Sequence, residues 1–141
     1  MEHMFDSCSS LTSLDLSTFI TTNTKKFSYM FNNCAKLENL SVTNFDTIKA
    51  EDMSYMFSKC SSLKELDLKS FNTTLVKSMN SMFSSCTGIH YLDLSNFNTE
   101  KCTGFTNMFY DTENITVKVS KSKGAKLLNA IRDLVEIETV D

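Results

Sequence analysis

Apolar residues recur along this chain every 26 positions, in columns separated by polar stretches. The first column is Met1, Phe27, Met53, Met79 and Phe105. The second is Met4, Met30, Met56, Met82 and Met108, followed immediately by Phe5, Phe31, Phe57, Phe83 and Phe109. The fourth is Phe19, Phe45, Phe71 and Phe97. These columns hold all eight methionines and all eleven phenylalanines, so the chain is a tandem repeat. Self-similarity at this period predicts stacked windings of the backbone, with each aromatic column piled in a file.

Within a unit the hydrophobic period changes. Met79, Met82, Phe83 and Cys86 follow an i, i+3, i+4, i+7 stripe, which predicts two helical turns, and every unit opens on an equivalent stripe. Ile89, Leu92 and Leu94, with Asp93 between the last two, read as a short strand. Leu14 and Leu16, Leu40 and Val42, and Leu66 and Leu68 repeat it. A return segment such as Ser95–Thr99 leads to the next stripe. Parallel strands need crossovers, which are right-handed. The expected fold is therefore an α/β, right-handed solenoid with a parallel sheet on one face and short helices on the other.

The register divides the chain into a solenoid over 1–119 (units 1–26, 27–52, 53–78, 79–104 and 105–119) and a C-terminal cap over 120–141. In the fifth unit the strand shifts to Ile115–Val119, and Thr112 stands where earlier units carry cysteine. Leu127, Leu128, Ile131, Leu134 and Val135 then predict an amphipathic capping helix, and Val135–Val140 a last strand. The first unit has no such cap. Two expectations follow: a longer array, or an end-to-end homodimer through this open coil.

Composition narrows the function. A net charge of −3 gives no basic field, which argues against nucleic acid as a partner. No segment approaches the ~20 apolar residues of a membrane span, and the N-terminus lacks a basic-then-apolar leader. Proline is absent and glycine occurs only three times, so Ser, Thr, Asn and Asp must make the turns. The column Thr21, Thr47, Thr73 and Thr99 predicts a ladder of turn hydrogen bonds. Cys8, Cys34, Cys60 and Cys86 form a column flanked by apolar positions, with Cys102 outside it. Their spacing suits neither zinc, which favours close ligand pairs, nor disulfides, which need opposed Cβ vectors. Buried free thiols are expected.

The strand core L-x-x-L-D-L-S-x-F at Leu11–Phe19, kept with variation at Leu63–Phe71 and Ile89–Phe97, stands beside the M-x-x-M-F-x-x-C stripe. Together they resemble the BspA-like leucine-rich-repeat proteins, over roughly Met1–Val119. The resemblance implies a solenoid of the leucine-rich-repeat type, a bacterial protein at the cell surface or secreted, and a role in adhesion or recognition.

Alternation along the strands predicts which side chains face outward. They are Ser13, Asp15 and Ser17 in the first unit, Asn39 and Ser41 (with Thr43) in the second, Glu65, Asp67 and Lys69 in the third, and Tyr91, Asp93 and Ser95 in the fourth. This polar grid is the expected ligand-binding face, its partner a protein or a glycan. Asp67 and Asp93 sit on adjacent strands and could hold a calcium ion between them, but Ser41 interrupts the acidic column and no further ligands converge, so the expected site contains no metal. No nucleophile–base motif or phosphate loop occurs, which points to a non-catalytic protein without a cofactor. The competing expectation is a purely structural spacer or self-associating array.

Overall fold

The computed structural model describes residues 1–141. Its regular elements are β1 (Ser13–Leu14), β2 (Asn39–Leu40), β3 (Tyr91–Asp93), β4 (Thr116–Ser120), α1 (Ala125–Ile131) and β5 (Glu136–Val140). β1 pairs with β2, and β3 with β4 and β5, all in parallel. Ser13 lies opposite Asn39 and Leu14 opposite Leu40, a shift of one 26-residue unit.

The stripes that predict helices fold otherwise. Each forms a run of turns closed between residues three apart: Met30 N–H to Phe27 C=O at 3.1 Å, Asn32 to Tyr29 at 3.2 Å, and Cys34 to Phe31 at 3.2 Å. The intervening N–H groups leave the unit altogether. Tyr29 donates to Ser54 (3.0 Å), Phe31 to Met56 (2.9 Å) and Asn33 to Ser58 (2.8 Å), and the same offsets link all five units. Spacing explains the outcome. Helices side by side need 8–10 Å between axes, whereas the rings of Phe5, Phe31, Phe57, Phe83 and Phe109 stack with centroids 5.5–5.8 Å apart. Flat turns accommodate that repeat and helices do not. A stripe of two turns is also too short to recover the cost of helix nucleation.

The turns require left-handed backbone at two columns. His3, Tyr29, Tyr55, Ser81 and Asn107 have φ between 53° and 58°, and Ser7, Asn33, Lys59, Ser85 and Asp111 between 55° and 61°. None is glycine, and this conformation costs an ordinary side chain about 1–2 kcal/mol. Lys59 is exposed, so Lys59→Gly is expected to raise stability by about 0.5–1 kcal/mol once glycine's own entropy is subtracted. An unchanged or lower urea midpoint would refute that expectation.

The core follows the columns. Phe27, Phe31, Phe57, Phe83 and Phe97 are fully buried together with Met30, Met53, Met56, Met79 and Met82. The threonine ladder forms beside it. The hydroxyls of Thr21, Thr47 and Thr73 donate to the carbonyls of Asp46, Asn72 and Asn98 at 2.9–3.0 Å, and Thr99 to Lys123 at 3.2 Å. The cysteine column resolves similarly. Cys34, Cys60 and Cys86 donate their S–H groups to the carbonyls of Phe5, Phe31 and Phe57 at 3.0–3.2 Å, and in the fifth unit Thr112 donates to Phe83 at 2.8 Å. All five cysteines are unpaired.

Gly88 marks a close approach between units. A Cβ there would meet the carbonyl oxygens of Ser61 and Leu63, both at 2.7 Å. Main-chain atoms cannot yield as a side chain does. Gly88→Ala is accordingly expected to cost about 1–3 kcal/mol, read as a lowered urea midpoint with unchanged slope.

At the C-terminal end, α1 is shorter than its apolar pattern and stops at Ile131; Leu134 lies beyond it, mostly exposed. Leu127 and Ile131 are buried against the core, and β5 extends the sheet from β4.

Candidate functional site

The strand side of the stack carries an open depression of about 1250 Å³. Its position follows from a gap in hydrogen bonding. Lys64–Leu68, the third unit's expected strand, joins neither sheet, and no main-chain hydrogen bond links its residues 64–67 to the flanking units. Side chains at the two ends of the segment hold it instead. Ser61 Oγ donates to Ala35 C=O at 3.3 Å, Ser70 Oγ to Val42 C=O at 3.4 Å, and the Asn96 amide to Leu68 and Phe71 C=O at 3.1 and 2.9 Å. The depression runs over this unpaired segment, between the edges of β2 and β3.

Nine residues of the expected face line it: Ser13, Asp15, Asn39, Ser41, Glu65, Asp67, Lys69, Tyr91 and Asp93. Ser17 and Ser95 stand outside and serve the turns. Asp15 accepts the Ser17 N–H at 2.9 Å, and Asp93 accepts the Ser95 N–H and hydroxyl at 3.0 and 2.5 Å. Asp67 likewise accepts the Lys69 N–H at 3.0 Å. The acidic column thus closes a local turn in three units, and Ser41 bonds Thr43 at 3.1 Å in the second.

Electrostatics separate these carboxylates. The Ser17 N–H and hydroxyl hold Asp15 below the usual carboxylate range. Burial pushes the Asp93 carboxyl up, but its bonds to Ser95 and the Lys118 ammonium, at 3.6 Å, outweigh this and leave it lowered. A carboxylate so engaged is a poor candidate for capturing a cation. No group of three or more His, Cys, Asp or Glu side chains converges in a metal-ligating arrangement.

The depression also takes in Glu38, Thr43, Lys64 and His90. Sequence alternation assigns Glu38, Lys64 and His90 to the inward phase, yet all three are exposed. Each directly follows a fully buried residue, Leu37, Leu63 or Ile89, which takes the inward place at this end of the segment and breaks the two-residue period. Tyr91, 48% exposed, supplies a phenol ring beside the His90 imidazole. The surface therefore offers a ring and a mixed set of carboxylates, ammonium groups, an amide and hydroxyls along an unpaired backbone.

A second aromatic file lies on the turn side, where His3, Tyr29 and Tyr55 stack with centroids 4.5 Å apart. No helix is long and apolar enough to cross a membrane. No curated protein and no solved structure matches the chain significantly. Residues 1–129 do match a family model, and the chain belongs to that family, described as "Mycoplasma protein of unknown function, DUF285".

Proposed function

We propose that this chain is a non-catalytic binding module, a solenoid akin to the BspA-like leucine-rich-repeat surface proteins, that recognises a protein or glycan through its strand-side face. The observation that supports this most is the depression over Lys64–Leu68, where the expected grid residues of four units line one continuous opening. Solenoids bind along extended faces of this kind. An open, polar site with an exposed tyrosine suits a large, hydroxyl- or amide-bearing ligand better than a small apolar molecule, which would need an enclosed pocket. Cell-surface or secreted placement belongs to the same reading.

The test uses biolayer interferometry against immobilised host matrix proteins and a glycan panel, comparing the parent with a Glu65→Ala, Lys69→Ala, Tyr91→Ala triple variant. None of these side chains bonds the core, so the fold should survive, which circular dichroism verifies. Loss of affinity by at least about tenfold is expected if the ring and charges carry roughly 1.4 kcal/mol or more. Unchanged binding by the folded variant would reject the face. Absence of any ligand would favour the spacer reading, to which the turn bonds of Asp15, Asp67 and Asp93 lend their support.

A further inference from the structure

Hydrogen bonding on the turn side has a direction. At every junction the N–H groups of the two left-handed columns and of the phenylalanine between them point toward the C-terminal end and meet carbonyls of the next unit: Tyr55 to Asn80 at 2.8 Å, Phe57 to Met82 at 3.1 Å, Lys59 to Ser84 at 2.7 Å. The residues of the first unit equivalent to Asn80, Met82 and Ser84 are Glu2, Met4 and Asp6, and their carbonyls have no partner. The first unit's own N–H groups at His3, Phe5 and Ser7 are already spent on Ser28, Met30 and Asn32. Along Glu2–Asp6 the N-terminal turn edge therefore presents a row of three open acceptors, and at Lys25 and Lys26 it presents the N–H groups whose counterparts Glu51 and Asp52 bond back to Lys25 C=O. Beside it Phe5, Leu14 and Phe19 are only half-buried, and Met4 is 46% exposed, whereas their counterparts Phe31, Leu40, Phe45 and Met30 are buried.

We infer that this N-terminal face is a docking surface for a further 26-residue unit of the same pattern, presented by its uncovered C-terminal side. It continues four existing junctions in register. The incoming unit's alternate N–H groups meet the carbonyls of Glu2, Met4 and Asp6, and its ring at the Phe57 position stacks on Phe5.

Bond pairing favours this occupant over a second copy of the chain. Two copies joined with these turn edges opposed would set carbonyl against carbonyl at Glu2, Met4 and Asp6, whereas a further unit in register pairs those acceptors and the Lys25 and Lys26 N–H groups alike. The opposite end does carry free donors, the N–H groups of Asn107, Phe109 and Asp111. There, however, β5 and α1 already cover the strand and core of the fifth unit, so a second copy stacked head to tail would leave Phe5, Leu14 and Phe19 exposed.

The experiment fuses a copy of residues 53–78 directly before Met1, with a scrambled 26-residue extension as control. The genuine unit should shift the urea midpoint upward in a single transition, with a slope about a fifth larger because unfolding exposes proportionately more surface. Its amides at the Tyr55, Phe57 and Lys59 positions should be protected from hydrogen exchange, and the scrambled extension should change neither. Phe5→Ala should shift the midpoint at least twice as far in the fusion as in the parent, since its ring becomes internal. An unprotected extension, an unchanged or lowered midpoint, or a parent that dimerises through Met1–Phe19 in sedimentation and cross-linking would overturn the proposal.

Discussion

Phe57→Ala is expected to lower the stability of the chain by about 3–5 kcal/mol. Phe57 is fully buried at the middle of the ring file, with Phe31 at 5.7 Å on one side and Phe83 at 5.8 Å on the other. Removing it forfeits two stacked contacts as well as the transfer of the ring from water. The gap cannot close by drawing the neighbours together. Phe31 is tied to Met56 and Phe57 to Met82 by main-chain bonds of 2.9 and 3.1 Å, which fix the spacing of the units. A loss of this size takes a large share of the 5–15 kcal/mol usual for a domain. Phe5→Ala, at the half-buried end of the file, should cost about half as much. Urea unfolding measures both through the midpoint, and a Phe57→Ala loss under about 1 kcal/mol would contradict the stacked-core account.

What sequence could and could not disclose follows from the same geometry. The 26-residue register was legible because each column repeats a chemical demand: Phe31, Phe57 and Phe83 meet their own copies, and Thr47 meets the same carbonyl that Thr73 meets one unit later. The cysteine column reads as buried thiol for the same reason, and Thr112 confirms its role by supplying the bond with oxygen. The turn side was misread because an i, i+3, i+4, i+7 stripe is produced equally by a helix and by consecutive turns that close between residues three apart. A signal against helix was present in the Ser, Asn and Thr around each stripe, whose side chains compete for the backbone. The left-handed columns gave a divided signal: Asn33, Asn107 and Asp111 suit such turns, but Tyr29, Tyr55 and Lys59 occupy the same columns in the middle units. Most of the strand-side face was legible from alternation, since nine of its expected residues line the depression. The break at Lys64–Leu68 was not, because Leu63-x-x-Leu66-x-Leu68 is as good a strand pattern as Ile89-x-x-Leu92-x-Leu94.

Alkali should destabilise the chain far more steeply than a protein with exposed thiols. Burial pushes the Cys34 thiol up to about 11 and Cys86 up to about 12, from an ordinary 9.0, and moves Cys60 in the same direction. Each S–H also donates to a phenylalanine carbonyl, a bond the thiolate cannot make. The sign follows from proton binding. Below pH 9 both folded and unfolded chains hold these protons, and the stability is intact. Above it the unfolded chain releases them while the folded chain retains them, so each thiol removes about 1.4 kcal/mol per pH unit until its folded value is reached. The three column thiols together approach a slope of about 4 kcal/mol per unit between pH 10 and 11, and Cys102, likewise raised by burial, adds to it. Tyr29, raised mainly by burial, adds to the loss at the upper end. Cys86→Thr isolates the thiol contribution, because a threonine hydroxyl can donate to Phe57 as Thr112 donates to Phe83 but does not ionise in this range. Urea unfolding at pH 8.5, 9.5 and 10.5 should show the parent's stability falling steeply, and the Cys86→Thr chain losing up to about 1.4 kcal/mol less per pH unit. A parent whose midpoint is flat across that range, or a variant with the parent's slope, would show that these sulfurs are not sealed from water by the stack.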